Sequence, residues 1–385
     1  MPNRGRWHGV TGHRQRAGCA GGDTMAIRGE GSDRGVRTIE RGGRRRGSVI
    51  GVAVVIATAV VAAAASGSAA SLRQSAATKE ARGGPRLIID TDLSRWWDDA
   101  STIGLANVLQ KQGKMRLLGV VSNVPNAVAV AAVDAINTAY GHPDIPLGAV
   151  AGSNADTFEH GYTDELVKRL PNSVRNYRDV PSAVALYRRL VAKQPDRSVT
   201  IVSIGGYTNL AGLLASKRGQ GSSLDGRDLI AKKVKRLVQM DGIFPGGGPA
   251  FTNQKIDPDA ATAVIGGEGW PTSIAWVDGL GGVQTKVGGT LCTTTGPKHP
   301  MRIVYEVLFA CGPPADGNWD APTLLYAIGD LQGVFSEEGH GGAAVINAQG
   351  GLSWETPSSR PNDLYVKVAD QQRLNQRIDE LLAAK

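Results

Sequence analysis

The sequence predicts an α/β fold, with a mostly parallel central sheet and helices on both of its faces. From Arg86 onward, short apolar runs typical of buried strands alternate with segments of helical period. This alternation is typical of parallel sheets, because their strands are buried on both faces and are joined by helical crossovers. Ligand sites in such sheets lie beyond the carboxyl ends of the strands, so we expect the functional residues in the loops that follow the strands.

Six strands and five helices are predicted in chain order. The strands are short apolar runs bounded by polar residues or glycine: RLIID, MRLLGVVSN, DIPLGAV, VTIVSIGG, VKRLVQMDG and TSIAWVDG. The helices have apolar residues at helical spacing: ASTIGLANVLQKQ, AVAVAAVDAINTAYG, SAVALYRRLVAKQ, TNLAGLLAS and DPDAATAVIGG. Residues 216–230 and 336–362 are rich in Gly, Ser and Pro, which predicts loops there.

The net charge of +8 belongs to the N-terminal tail. Residues 1–47 contain eleven arginines and four acidic residues, which leaves 32 basic and 31 acidic side chains in residues 48–385. The folded part is therefore almost neutral, and its sequence shows no stripe of lysine or arginine interleaved with aromatic residues. This pattern argues against nucleic acid as a partner.

Residues 48–65 form an apolar, uncharged run between the cluster RGGRRRG and a group of small residues. A positive segment, an apolar segment and a small-residue exit are typical of an export signal. The run is also just long enough to span a bilayer, so an uncleaved anchor in contact with the membrane is the alternative. We expect a secreted or cell-surface protein with a basic tail at 1–47, a signal or anchor at 48–70, a linker at 71–84 and one domain at 85–385.

Cys292 and Cys311 are an even pair of cysteines in a chain that carries an export signal. Disulfides form and persist in oxidising compartments, so we expect these two residues to be bonded, and two unrelated thiols are the alternative. The sequence has no Cys-x-x-Cys or Cys/His pattern of the kind that indicates zinc.

The stretch PRLIIDTDLSRWWDDA, at residues 85–100, places four aspartates around the end of the first predicted strand. Asp90 and Asp92 end the strand, and Asp98 and Asp99 open the following helix. A cap at the start of that helix would explain one or two of them. Four converging carboxylates repel one another unless one is protonated, and a hard cation such as calcium removes that repulsion. The pattern therefore predicts a metal site.

These residues resemble the signature of the nucleoside hydrolase family, Asp-Thr-Asp-Pro-Gly-x-Asp-Asp-Ala, although five residues separate Asp92 from Asp98 where the family usually has about three. Four further segments are similar to segments of the family and occur in the same order: LLGVVSNVPN, VTIVSIGGYTNLAGLL, FTNQKIDPDAATAVI and NWDAPTLLYAI. The resemblance covers about residues 85–335. It implies the family's fold and calcium-dependent hydrolysis of the N-glycosidic bond of a ribonucleoside or a related N-riboside.

The resemblance also implies a set of metal ligands. Asp92 would contact the metal and act as general base on its bound water, since a cation lowers the pKa of water. The other protein ligands would be the carboxylate of Asp99, the backbone carbonyl of Thr208 and the carboxylate of Asp320. The hydrolase interpretation therefore requires Asp320 to meet the acids of the opening loop.

Substrate contacts are implied at three polar residues. Asp98 would contact a ribose hydroxyl, with Asn126 and Asn253 nearby. Asparagines after strands are also common turn or cap residues, and Thr208 could cap the helix at which it stands, so these structural roles stay open.

Several residues depart from the family's pattern. Phe251 stands where a glutamate usually binds the 5′ end of the sugar, and Trp319 stands where some purine-cleaving members have a histidine that protonates the leaving base. Trp96 and Trp97, in the acidic loop, either pack on the core or form an aromatic wall for a flat ring. Trp96 and Trp319 are therefore predicted substrate contacts. The departures favour a ligand that differs at its 5′ end, or one that is not an ordinary nucleoside.

Other functions and roles are compatible with parts of the sequence. A non-catalytic protein that binds a ligand on the same scaffold would tolerate the departures from the family's pattern. A phosphatase of the haloacid dehalogenase type would use Asp90 as nucleophile, but it would leave Asp98 and Asp99 without a role. His160 and His340 are candidates for a replacement acid. We expect a small nucleoside-like partner, and a homo-oligomer is possible because relatives are often dimers or tetramers.

Overall fold

The computed structural model describes residues 84–94, 96–126, 128–150, 161–219, 221–314, 316–358, 360 and 363–385. The predicted basic tail, the signal or anchor and His160 lie outside these residues, as does the linker except for Gly84. None of the helices within the described ranges is long and apolar enough to cross a membrane.

The predicted strands and helices are all present, with ends that differ by a few residues. The strands are β1 (Arg86–Thr91), β2 (Arg116–Ser122), β3 (Leu147–Ala149), β4 (Val199–Ser203), β5 (Val234–Met240), β6 (Ser273–Val277), β7 (Phe335–Glu338), β8 (Ala343–Ile346), β9 (Leu352–Glu355) and β10 (Leu364–Val368). The helices are α1 (Asp98–Lys111), α2 (Ala129–Ala139), α3 (Tyr162–Arg169), α4 (Ala183–Ala192), α5 (Thr208–Ala215), α6 (Gly226–Lys233), α7 (Thr252–Ile256), α8 (Pro258–Ile265), α9 (Gly279–Gln284), α10 (Leu291–Thr294), α11 (Pro300–Phe309), α12 (Asp320–Ile328) and α13 (Gln371–Ala383).

The main sheet of the described chain has eight strands in the order β3–β2–β1–β4–β5–β6–β10–β7. Neighbouring strands are parallel, except that the edge strand β7 pairs antiparallel with β10. The predicted mostly parallel sheet is therefore confirmed. Because β1, β4 and β5 are adjacent, the loops that follow them meet at one edge of the sheet.

Two apolar cores cover the two faces of this sheet. On β1, Leu87 and Ile89 belong to one core and Ile88 to the other, as the alternation of side chains along a strand requires. Helices α1, α2, α3, α11, α12 and α13 contribute to the first core, and α4, α5, α6 and α8 contribute to the second. Burial on both faces explains why the predicted strands are unbroken apolar runs.

The loops predicted at 216–230 and 336–362 are only partly correct. Helix α6 begins inside the first segment, at Gly226. Strands β8 and β9 lie in the second segment and pair antiparallel with each other, and β7 begins just before it. These strands have only four residues each and are partly exposed; β7 and β9 lack an apolar run, and the run AAVI of β8 is too short to stand out among the surrounding Gly, Ser and Pro.

The chain enters the sheet at the amino end of β1. Gly84 has a φ of +64°, and a Cβ at this position would lie 2.4 Å from the carbonyl oxygen of Lys114, so glycine is required for the close approach. The carbonyl of Pro85 accepts a hydrogen bond of 2.9 Å from the N–H of Arg116, which starts the pairing of β1 with β2. The entry point is therefore opposite the edge at which the strands end.

The expected disulfide is confirmed. Cys292 lies in α10 and Cys311 follows α11, and the two sulfurs are bonded with their Cα atoms 5.6 Å apart. The bond closes a loop of chain around α11, whose residues Tyr305 and Phe309 pack on Trp97. Closing this loop restricts the unfolded chain, so the disulfide stabilises the region that supports the opening loop.

Candidate active site

The loop after β1 connects Asp92 to the first helix and is held by a tyrosine from α3. The hydroxyl of Tyr162 donates a hydrogen bond to the carbonyl of Trp96 at 2.5 Å and accepts one from the N–H of Ser94 at 3.0 Å. Tyr162 is fully buried, so these contacts are shielded from water. The loop is thereby fixed at the carboxyl edge of the sheet.

Asp99 joins the end of β1 to the start of α1. Its Oδ1 accepts hydrogen bonds from the backbone N–H of Asp92, at 3.1 Å, and from the hydroxyl of Thr91. Its other oxygen, Oδ2, is buried and has no hydrogen-bond donor. A buried carboxylate oxygen without a donor is costly, because its negative charge is neither solvated nor bonded.

Three carboxylates meet at this point, and we call Asp98, Asp99 and Asp320 the acidic triad. Each offers an oxygen, and these oxygens lie within 4.8 Å of one another. Asp320 is the first residue of α12, and its Oδ1 is also buried without a donor. The structure therefore brings Asp320 to the opening loop, as the hydrolase interpretation requires. Among the residues that the structure describes, no histidine or cysteine belongs to this group.

The electrostatics of the acidic triad are unfavourable to three negative charges. Burial raises the pKa of Asp98 to about 6, although the backbone N–H of Trp319 donates a hydrogen bond of 2.9 Å to its Oδ2. Burial, followed by the charges of neighbouring acids, raises the pKa of Asp99 and of Asp320 well above the ordinary range. Asp92 is one of these neighbours for both residues. A cation among the carboxylates would remove this penalty.

Asp90 is bonded to side chains outside the acidic triad. Its oxygens accept hydrogen bonds from the Tyr187 hydroxyl at 2.8 Å and from the side-chain amides of Asn123 at 2.8 Å and Asn209 at 3.1 Å. Burial raises its pKa to about 7 despite these three bonds. A fully buried carboxylate with both oxygens bonded cannot reach a substrate, so the structure gives no support to Asp90 as a phosphatase nucleophile.

The residues that hold Asp90 were not singled out in the sequence. Asn209 lies in the segment GGYTNLA, whose resemblance to the family was the available signal. Asn123 directly follows β2, where a polar residue at a strand end gave a second signal. Tyr187 lies on α4 and carries no signal, because a buried tyrosine in a helix usually reports only packing.

Gly205 and Thr208 lie at the turn between β4 and α5. A Cβ on Gly205 would lie 2.6 Å from the backbone nitrogen of Asp92, so glycine is required for this turn to approach the opening loop. Tyr207 occupies the N-cap position of α5, and Thr208 is the first residue of the helix, so Thr208 does not cap it as the alternative suggested. The Thr208 hydroxyl instead donates a hydrogen bond of 3.1 Å to Asp257.

A cavity of about 430 Å³ opens above the acidic triad. All three acids line it. Its walls are mainly apolar and aromatic, with Trp96, Phe251 and Trp319 among the lining residues. Such a combination, apolar walls with a few converging polar groups, is typical of small-molecule sites.

The two predicted asparagines have different positions. Asn253 lines the cavity, and its amide donates a hydrogen bond of 3.1 Å to the carbonyl of Met240. The Oδ1 of Asn126 accepts hydrogen bonds from the N–H groups of Val128 and Ala129, at 2.8 and 3.0 Å. Asn126 therefore bonds the backbone just before α2, whose N-cap position is Val128, and it is not among the described residues that line the cavity.

The two tryptophans of the opening loop also separate. Trp97 is buried and packs edge to face against Tyr305 and Phe309, with ring centroids 5.3 and 5.2 Å apart. Trp96 lines the cavity. Trp97 is therefore a core residue, and Trp96 lies where the predicted substrate contact would require it, although that contact stays a prediction. His340, a candidate acid, lies outside the described lining of the cavity.

Asp241, at the end of β5, is a buried acid next to the cavity wall. It accepts hydrogen bonds from the Tyr207 hydroxyl at 2.6 Å and from the N–H of Gly242 at 2.8 Å, yet burial raises its pKa from 3.8 to about 7. Between pH 3.8 and about pH 7, Asp241 keeps its proton in the folded protein, whereas it has lost that proton in the unfolded chain. The protonated Asp241 therefore contributes to stability below pH 4, and this contribution is lost as the pH rises through about 7.

Asp241→Asn should remove this pH dependence, because asparagine does not titrate and can bond both partners. We expect the variant to gain up to about 4 kcal/mol relative to the wild type between pH 4 and pH 8, the energy of a pKa shift of about three units. Urea unfolding of both proteins at pH 4 and pH 8 measures the difference in their free energies of unfolding. The effects of all other acids are common to both proteins and cancel. A difference that does not change with pH would contradict the raised pKa of Asp241.

Comparison with known proteins gives the following similarities. The family model described as inosine-uridine preferring nucleoside hydrolase matches residues 87–294, just over half of the chain. The structure is similar to a plant nucleoside hydrolase, the PpNRh1 enzyme, with a TM-score of 0.59, 17% identity, and coverage of 78% of this chain and 100% of that chain. No curated protein matches in sequence.

Two further solved structures share the fold. The inosine-uridine preferring nucleoside hydrolase from Bacillus anthracis has a TM-score of 0.59 and 18% identity, and the match covers 78% of this chain and 99% of that chain. The type III effector protein XopQ, solved in complex with adenosine diphosphate ribose, has a TM-score of 0.56 and 17% identity, with coverage of 78% and 94%. At these identities the similarity to solved structures shows the fold alone.

Proposed function

The chain belongs to the inosine-uridine preferring nucleoside hydrolase family, whose members hydrolyse N-glycosyl compounds, and from this membership we propose the details of its own reaction. The proposed substrate is a ribonucleoside or a related N-riboside that binds in the cavity above the acidic triad. The proposed cofactor is calcium. The observation that carries the proposal is the meeting of Asp98, Asp99 and Asp320, whose oxygens lie within 4.8 Å of one another in the floor of an apolar cavity.

The donor set of the acidic triad fits a hard divalent cation. Calcium prefers oxygen ligands and accepts carboxylates and backbone carbonyls together. Oδ2 of Asp99 and Oδ1 of Asp320 are buried oxygens without a donor, which is the state expected of groups that bind a cation. In the proposed ligand set, Asp92 and the carbonyl of Thr208 join Asp99 and Asp320. Asp98 either contacts the ribose or serves as a further ligand, since it lies within the triad.

The residues around the triad have separate roles in the proposed reaction. The bound cation supplies Lewis acidity that makes water easier to deprotonate and orders the reacting groups. Asp92 accepts the proton of the attacking water as general base. The negative oxygens of the site stabilise the positive charge that develops on the sugar ring as the bond to the base breaks. Asn253 and the aromatic walls orient the sugar and the base.

Release of ribose by the full-length protein tests this proposal. We expect at least one nucleoside to release a reducing sugar in the presence of calcium. This release should stop when EDTA is added and resume when calcium is restored. An aryl phosphate in a parallel reaction should release no phosphate. Binding of a nucleoside without any release of sugar would favour the non-catalytic alternative, and release of phosphate would favour the phosphatase.

We also propose that the domain acts outside the cytoplasm. The apolar run at 48–65 after a basic cluster supports export, and the disulfide between Cys292 and Cys311 is of a kind that persists in oxidising compartments. Cell fractionation with N-terminal sequencing of the mature protein distinguishes a cleaved signal from a retained anchor.

A further inference from the structure

The charge and the walls of the cavity point to a narrower class of substrate. We infer that the preferred substrates are N-ribosides whose leaving group is a positively charged aromatic ring, such as a pyridinium or an N7-alkylated purine. Because this inference rests on the proposed function and narrows it, the experiments below are chosen so that the two can fail separately.

The charges around the cavity favour a cationic ligand. Four carboxylates are among the lining residues, those of the acidic triad and that of Asp316, and Lys255 is the one basic side chain among the described lining residues. Lys255 and Asp316 are both exposed, so water screens their opposite charges, whereas the three carboxylates of the triad are buried. A divalent cation would offset two negative charges and leave the lining net negative. A positive ring is attracted to such a site, and a phosphate or another anion is repelled from it.

The aromatic walls favour the same ligand. Trp96, Phe251 and Trp319 line the cavity, and the face of an aromatic ring, above all an indole, attracts a cation that lies against it. A flat cationic ring can also stack on these side chains. Charge attraction and stacking therefore act on the same group of the substrate.

Two of these walls are held in place by helix α9. A Cβ on Gly279 would lie 2.5 Å from Cε2 of Phe251, and a Cβ on Gly282 would lie 2.3 Å from Cδ1 of Trp319. The two glycines thus allow both rings to pack directly on the helix backbone. The backbone of Trp319 is fixed further, because its main-chain N–H donates a hydrogen bond to Oδ2 of Asp98. Packing already orders these two rings in the absence of a ligand. Little side-chain entropy is therefore lost when a ligand stacks on them.

The chemistry of bond cleavage agrees with a cationic leaving group. A neutral base must gain a proton as it departs, otherwise it leaves as an unstable anion. The described lining residues that carry an acidic proton or can hold one are the four carboxyls and Lys255, and the three carboxyls of the triad face the proposed cation. None of the aromatic side chains Trp96, Phe251 and Trp319 can act as a general acid at neutral pH.

A cationic ring needs no such proton. The electron pair of the glycosidic bond returns to the ring nitrogen, which becomes neutral, and the oxygen of water forms the new bond to the anomeric carbon. The proton of that water passes to Asp92. The products are free ribose, a neutral aromatic base and one proton, so the reaction balances without an acid for the leaving group.

A matched pair of substrates tests the inference. Guanosine and 7-methylguanosine differ by one methyl group and by the charge of the ring. We expect the wild-type enzyme to cleave 7-methylguanosine with a kcat/KM at least about tenfold higher than that of guanosine, after each is divided by its uncatalysed rate, as a cation–π contact of ordinary strength would provide. Equal efficiency for the two substrates would overturn the inference and leave the proposed function intact.

Two variants at Trp319 make the test sharper. Trp319→His introduces a group that can protonate a neutral base, so guanosine cleavage should rise by at least about tenfold while 7-methylguanosine cleavage falls. Trp319→Phe keeps an aromatic face and should keep the preference for the cation. If guanosine cleavage by the wild type already depends on His160, shown by its loss in His160→Ala, an acid is present and the inference is wrong.

A binding measurement decides the question even if no nucleoside is cleaved. The N1-methylnicotinamide cation and neutral nicotinamide have nearly the same shape and cannot be hydrolysed by this route. In calorimetry, we expect the cation to bind the calcium-loaded protein about tenfold more tightly than neutral nicotinamide does. In the Trp319→Leu variant, the two rings should bind with equal affinity. Equal affinity for the two rings would overturn the inference, whereas absence of any cleavage would count only against the proposed function.

Discussion

Asp320→Asn is expected to lower kcat/KM by at least about 10³ and to abolish measurable calcium binding. Asp320 is 1% exposed and comes from a helix that begins 221 residues after Asp99, yet their oxygens meet in the acidic triad. Asparagine keeps the size of the side chain and removes its negative charge. The effect therefore reports the charge that holds the cation and not the packing of α12.

The stability of this variant separates a metal ligand from a structural residue. Burial and the neighbouring acids raise the pKa of Asp320, so its charged form destabilises the calcium-free protein at neutral pH. Asp320→Asn should consequently raise the melting temperature in EDTA, and it should remove the further rise that we expect calcium to produce in the wild type. Asp259→Asn, an exposed aspartate in the first turn of α8, is the control and should change neither property. A variant at Asp320 that still binds calcium and turns over would refute the proposed site.

Asp92→Asn is expected to lower kcat by about 10² to 10⁴ while KM changes little, because a general base acts on the attacking water and not on substrate binding. Asp92 directly follows β1, is 1% exposed and lies near enough to Asp99 and Asp320 for its charge to raise the pKa of both. Asparagine cannot take up the proton. The Asp259→Asn control should retain wild-type kcat.

Calcium titration of the same variant distinguishes the two roles proposed for Asp92. Asp92 is not a member of the acidic triad, so its loss should weaken calcium binding less than the loss of Asp320 does. A variant with kcat within about tenfold of the wild type would exclude Asp92 as the base, and the search for it would turn to the other acids of the site.

The central sheet could be predicted because its signals are local. Strands such as β1 and β4 are buried on both faces, so burial appears in the sequence as an unbroken apolar run. The short strands β7 to β9 could not be predicted in this way, since they are partly exposed and depend on pairing partners elsewhere in the chain. Pairing between distant segments leaves no periodic signal in either of them.

The candidate site was predicted only in part, for a similar reason. The acids of the opening loop stand out as a local cluster, but the place of Asp320 beside them followed from the family resemblance alone. The separate positions of Trp96 and Trp97 could not be read from the loop, because irregular backbone has no fixed alternation of faces. Two findings depend on side-chain orientations that only the fold determines: Asp98 lies within the acidic triad, and Asn126 bonds the backbone at the start of α2.

The entry of the chain beside Gly84 has a practical consequence. The cavity is lined by residues that follow the carboxyl ends of the strands, whereas Gly84 precedes the amino end of β1, at the opposite edge of the sheet. A domain attached to a bead through residue 84 would therefore present the cavity to the medium. Immobilisation through the N-terminal side should therefore leave turnover unimpeded, and coupling near Lys255 should obstruct it.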